Sequence, residues 1–114
     1  MGVKIECQGK EILDIKNITF EFLYLKMLEA IHEKNLMLSA DLKRLIEALD
    51  LGGYGIGLDI AEYIQGKKDG KTFEIIIKIA TDKLLHEFNT LPQDIKDNLK
   101  KFSDEITKYT HSLP

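Results

Sequence analysis

Leu49-Asp50-Leu51-Gly52-Gly53-Tyr54-Gly55-Ile56-Gly57-Leu58-Asp59-Ile60-Ala61-Glu62-Tyr63-Ile64-Gln65 packs four of the chain's eight glycines into six positions. Strong helical patterns lie on either side of it. Physically the stretch reads as a helix stop, a tight bend and a helix start. Glycine takes the left-handed C′ conformation cheaply, so Gly52 or Gly53 is expected to end the preceding helix with a positive φ.

Upstream, Leu42, Leu45, Ile46 and Leu49 follow the i, i+3, i+4, i+7 rule of an amphipathic helix. Ser39 is its expected N-cap, with Asp41 in the positive first turn. Downstream, a short third helix is expected over about residues 56–65. Leu58, Ala61 and Ile64 would face inward with Ile60 nearby, and Asp59, Glu62 and Tyr63 would share another side.

Before this core, residues 3–16 alternate apolar and polar up to Gly9 and read as a short hairpin. Two strands alone are marginal in water, so the hairpin would have to lie on helices. Asn17 is the expected cap of a first helix over about 18–34. Phe20, Leu23, Tyr24, Met27, Leu28 and Ile31 share its broad apolar face, while Phe22 and Leu25 intrude on the charged face opposite. Thr19–Leu25 also fits a strand; helix is preferred because the face persists to Ile31.

Gln65–Gly70 reads as a turn or exposed loop. A fourth helix is expected over about 71–89, with Phe73, Ile76, Ile77, Ala80, Leu84 and Phe88 on one stripe. Ile75 and Ile79 point away from it, so either a second neighbour buries them or Phe73–Ile79 is strand. Thr90-Leu91-Pro92-Gln93 is a start signal for a last helix reaching about Tyr109. Its seam of Ile95, Leu99, Phe102, Ile106, Tyr109 and Leu113 has 4-3-4-3-4 spacing, which favours bundle packing over a coiled coil at this length. The fold class is therefore mainly α: one domain over residues 1–114, a bundle of about five helices with a possible N-terminal hairpin.

The chain has 114 residues, 44% hydrophobic and 31% charged, as in soluble globular domains. One cysteine, Cys7, excludes an internal disulfide and fits a reducing cytoplasm. No apolar run approaches the roughly 20 residues that span a bilayer, and no signal-peptide core is visible at the N-terminus. The net charge of −3 is concentrated in residues 39–66, around the glycines. With no basic stripe, the chain is a poor nucleic-acid binder and a better partner for something basic.

No catalytic or metal constellation stands out, and no cofactor is implied. His32, His86 and His111 have no second histidine at i+3 or i+4, and Thr90 sits where a zinc-protease helix beginning at His86-Glu87 needs one. They read as surface histidines, and Cys7 as a structural thiol. Gly53-Tyr54-Gly55-Ile56-Gly57 fails as a phosphate loop. A helix precedes it, Ile60 replaces the third fingerprint glycine, and no Lys-Ser/Thr follows. Close packing at a helix corner is the better account of these glycines.

Leu45-Ile46-Glu47, followed by Gly53-Tyr54-Gly55-Ile56-Gly57-Leu58-Asp59-Ile60-Ala61-Glu62-Tyr63-Ile64, resembles a motif of small bacterial immunity proteins. The resemblance is to the Maf-type family, related in role to contact-dependent growth inhibition immunity proteins. Those chains typically carry a Leu-Ile-Glu helix, then Gly-Glu-Tyr-Gly-Leu-Ala-Leu-Glu, then an acidic segment ending in Tyr-Leu. Here Gly53 stands where an acid often precedes the tyrosine, and Gly57 where alanine is usual. The resemblance implies a cytoplasmic, non-enzymatic protein that binds a cognate toxin domain, often a nuclease, and blocks its active site or substrate path. Nucleases are basic because they hold phosphate. On that reading the acids and tyrosines around the corner, Asp50, Tyr54, Asp59, Glu62 and Tyr63, are the candidate toxin-binding residues. Two alternatives stay open: a regulatory or structural homodimer through the Ile95–Leu113 seam, and an enzyme whose site assembles from residues not connected in sequence. Asp59, Glu62 and Tyr63 are equally readable as an ordinary solvated helix face.

Overall fold

A computed structural model describes residues 2–50 and 57–114. Among these the order is strand β1 (Gly2–Cys7), strand β2 (Lys10–Lys16), helix α1 (Asn17–Glu33), helix α2 (Ala40–Asp50), strand β3 (Leu58–Asp59), a 3-10 turn (Ile60–Glu62), helix α3 (Lys67–Glu87) and helix α4 (Gln93–Ser112). The described residues are mainly helical, with four helices and a small sheet formed largely by the N-terminal strands instead of five helices and a hairpin.

The hairpin forms because Val3, Ile5 and Cys7 alternate inward while Lys4 points out. Gln8 and Gly9 connect the strands with φ of 55° and 79°, the positive pair that a type I′ turn requires. Ile5 pairs with Leu13 and Glu6 with Glu11, so Ile12 is an extra residue in β2. That bulge lets Ile12 and Leu13, neighbours in sequence, both bury. β1 is the central strand, antiparallel to β2 and parallel to β3, with Ile5 opposite Leu58 and Glu6 opposite Asp59. The sheet buries its apolar face in a core shared with the helices, α4 packing on β2.

α1 starts at Asn17 directly from β2, and Lys16 is its cap, without a side-chain hydrogen bond. Asn17 is therefore not the cap. With no linker between strand and helix it becomes the first helical residue, and its Oδ1 is buried without a partner among the described residues. Ser39 does cap α2: the Leu42 N–H donates to its hydroxyl oxygen at 3.1 Å. The same hydroxyl donates to Asp69 at 2.8 Å, tying the start of α2 to the start of α3. The positive φ expected at Gly52 or Gly53 lies outside the described residues.

The expected third helix is absent where it is described. Leu58 and Asp59 instead extend the sheet, and only one turn of 3-10 helix follows, because pairing with β1 satisfies this backbone before a helix begins. Ile60 and Ile64 are buried as expected; Leu58 and Ala61 are half-buried. The expected loop at residues 65–70 is also replaced, since α3 begins at Lys67. Gly70 is helical and buried at the α3–α4 crossing. A Cβ there would meet Leu113 Cδ1 at 3.0 Å and Thr110 Oγ1 at 3.1 Å, and the Thr110 hydroxyl donates to the Gly70 carbonyl. Here glycine marks close helix approach, not a turn.

α3 is helical throughout Phe73–Ile79, with Ile75 exposed and Ile79 half-buried. Leu99, Phe102, Ile106 and Tyr109 of α4 are buried within the one chain, as bundle packing requires. The Tyr109 hydroxyl donates to the Ile64 carbonyl at 2.6 Å, fastening the segment after the 3-10 turn to α4. No helix among the described residues is long and apolar enough to cross a membrane.

Candidate protein-binding surface

Asp59 does not stand on a wet helix face. It is half-buried at the end of β3, and its carboxylate accepts three backbone N–H groups: Gln8 at 2.9 Å, Gly9 at 2.8 Å and Ala61 at 2.9 Å. Two of these donors are the left-handed turn residues of the hairpin, and the third opens the 3-10 turn. Burial alone would raise the Asp59 carboxyl, but the three amide donors outweigh it and hold the group below the usual aspartate range. Asp59 is thus a clamp between hairpin and corner.

The other candidates separate. Glu62 is exposed in the 3-10 turn. Tyr63 is half-buried against the core, with the Arg44 guanidinium 5.6 Å from its ring centroid, a cation–π contact that joins it to α2. Tyr54 lies outside the described residues. Asp50 is exposed at the end of α2 and lines a groove with Phe20, Glu21, Tyr24, Leu25 and Leu28 of α1. In that groove Tyr24 donates to the Ile46 carbonyl at 3.2 Å. Burial, followed by the negative field of Asp50 and Glu47, pushes its hydroxyl pKa up.

The groove leads to a feature that the sequence marks only as interruptions of a polar face. α1 has two apolar stripes. Phe20, Leu23, Met27 and Ala30 are buried. Ile18, Phe22, Leu25 and Leu28 face solvent, at 62%, 40%, 55% and 40% exposure. Leu28, expected on the inner face, belongs to the outer one. At 3.6 residues per turn it stands about 100° around the helix from buried Met27, on the side toward Leu25. Phe22 is propped by Phe88 from the end of α3, ring centroids 5.0 Å apart and tilted by 46°. A second groove between Phe22, Leu25, Leu28, His32 and Phe88 runs along the other side of the same ridge. Apolar residues scattered singly on a surface are ordinary, but four of them at i+4 and i+3 steps along one helix face make that face a candidate binding surface.

Chemistry elsewhere is sparse. Cys7 is buried, and burial, with help from Asp59 and Glu105, pushes its thiol pKa up to about 11, so it stays protonated and inert. His86 and His111 are exposed, as is His32. Among the described residues no three His, Cys, Asp or Glu side chains converge as a metal site. Comparison with known proteins gives no match to a family model, a curated protein or a solved structure.

Proposed function

We propose that this chain works by binding another protein: it is an immunity protein that neutralises a toxin domain in the cytoplasm by covering its active site or substrate path, without catalysis of its own. The observation that carries the binding role is the solvent-facing stripe Ile18-Phe22-Leu25-Leu28 on α1. Folding gains nothing from leaving these side chains in water, whereas burial against a partner removes their apolar area at about 25 cal/mol per Å². The toxin as partner is supported by the resemblance at residues 45–64 and by the net charge of −3, which suits a basic nuclease domain. Asp50 joins the two lines of support, because it belongs to the acidic corner and lines the groove beside α1. Glu62 contributes charge that speeds encounter, and Tyr63 a rim contact.

A homodimer through the α4 seam has less support, since Phe102 and Ile106 are already buried in their own chain. The direct test is co-expression with the product of the reading frame immediately upstream of the gene. An immunity protein restores growth of cells making that product and co-purifies with it as a complex. If the upstream product is not toxic, or if it kills equally well with this chain present and forms no complex, the proposal fails.

A further inference from the structure

The charges around the outer stripe of α1 are uneven. Glu21 and Asp50 border the groove on one side of the Leu25–Leu28 ridge. Lys26 and Glu29 border the groove on the other. Lys26 is already engaged: its ammonium pairs with Glu29 at 3.1 Å and also with Glu87 from α3. Those carboxylates hold its pKa up, Glu87 first and Glu29 second. The apolar ridge is therefore flanked by four carboxylates and one lysine that pairs with two of them, so the surroundings stay net negative, with Glu21 and Asp50 outside that ion pair.

The ridge has close to one apolar residue per turn. From Ile18 to Leu28 it spans about 15 Å at the helical rise, room for close to three turns of a second helix laid alongside. A second copy of this chain does not suit it. Two α1 helices packed antiparallel about Leu25 would bring Glu21 of each level with Glu29 of the other, adding like charges across the seam. An anionic lipid surface would meet the same repulsion.

We propose that the outer face of α1 seats an amphipathic helix of the partner, its apolar side on Phe22, Leu25 and Leu28 and its flanking Lys or Arg residues against Glu21, Glu29, Glu87 and Asp50. This rests on the reading that the chain binds protein through α1, and adds the form and charge of what is bound. Helix-in-groove recognition supplies the affinity through apolar anchors, and the carboxylates select the sign of the flanks.

The probes are two labelled 18-residue helical peptides with leucine at one position per turn, one flanked by lysine and its twin by glutamate. Binding is read by fluorescence anisotropy on the whole chain, with sedimentation to report self-association and anionic vesicles as a further arm. The lysine peptide is expected to bind, with affinity falling about tenfold between low and high salt, while the glutamate twin binds far more weakly. Phe22→Ser with Leu25→Ser should lose about tenfold or more in affinity while its melting curve holds. Glu21→Lys with Glu29→Lys should reverse the preference between the peptides. Equal binding of the twins, binding indifferent to the serine pair, self-association through this face, or preference for anionic vesicles would each overturn the proposal. The co-purified toxin complex separates the two claims. Loss of that complex in the serine variant alongside equal binding of the twins leaves the binding reading standing and removes the basic helix. Survival of the complex in the serine variant removes α1 itself.

Discussion

Asp59 shows how one side chain can hold a corner together. Its carboxylate takes the two amides of the Gln8-Gly9 turn and the amide of Ala61. The left-handed φ of Gln8 is unfavourable for a non-glycine residue, and the two accepted N–H groups offset it. Asp59→Ala should destabilise the chain by about 2–3 kcal/mol, because three amides lose a charged acceptor. Urea unfolding at neutral pH checks this, and Asp59→Asn, which keeps an acceptor oxygen, should lose less. The folded pKa lies below the unfolded value of about 3.9, so the stabilisation is complete above that pH and is lost as pH falls through the lower folded value. The difference in stability between wild type and Asp59→Asn should therefore be flat from pH 7 to 5 and shrink below about pH 4. In sequence Asp59 was legible as an acid near a bend but not as a clamp, because two of its three donors lie 50 and 51 residues away. Gly70 was misleading for the same reason. Its local company of Gly66, Lys67, Lys68 and Asp69 says loop, and only the crossing with α4 explains a helical glycine. Gly70→Ile should cost about 1–3 kcal/mol by overpacking against Thr110 and Leu113, read as a lowered melting temperature.

At the level of elements, the longer local patterns held, the Asn17 cap and the inward place of Leu28 did not, and what depended on distant pairing was missed. The α4 seam, the apolar face of α2 with its Ser39 cap, and the inward alternation of β1 all appear where periodicity places them. Each is a pattern over neighbouring residues that one packed face must satisfy. Phe102→Ala should cost on the order of 3–5 kcal/mol, as removal of a core aromatic does, and denaturant titration will show it. The segment after Gly57 went the other way. Leu58, Ala61 and Ile64 satisfy helical spacing over a few residues, yet a parallel ladder to β1 and the Asp59 clamp hold the backbone instead. A short segment gives periodicity little to work with, and a partner strand 53 residues earlier leaves no local mark. The second face of α1 was half legible. Phe22 and Leu25 stood out as apolar residues on a polar side, but nothing in the sequence said that Leu28 would join them or that Phe88 would prop Phe22.

Across the whole molecule, an acidic chain presents an apolar helix face beside its most acidic segment. In the proposed role the two features would divide the work of binding, charge setting the encounter rate and the apolar stripe the lifetime of the complex. Reversal of charge at Glu62 should slow association with a basic toxin domain, most at low salt, with stability changing by no more than about 0.5 kcal/mol. Stopped-flow mixing across a salt series checks this. The central claim, that α1 is the surface a partner covers, is tested most directly by methyl resonances during titration with the toxin domain. Ile18, Leu25 and Leu28 report the outer face, Leu58, Ile60 and Ile64 the corner, and Ile76, Ile77 and Leu99 the core. Shifts should centre on Ile18, Leu25 and Leu28, with the core reporters unmoved. Shifts confined to Leu58, Ile60 and Ile64, with α1 silent at saturation, would contradict the claim.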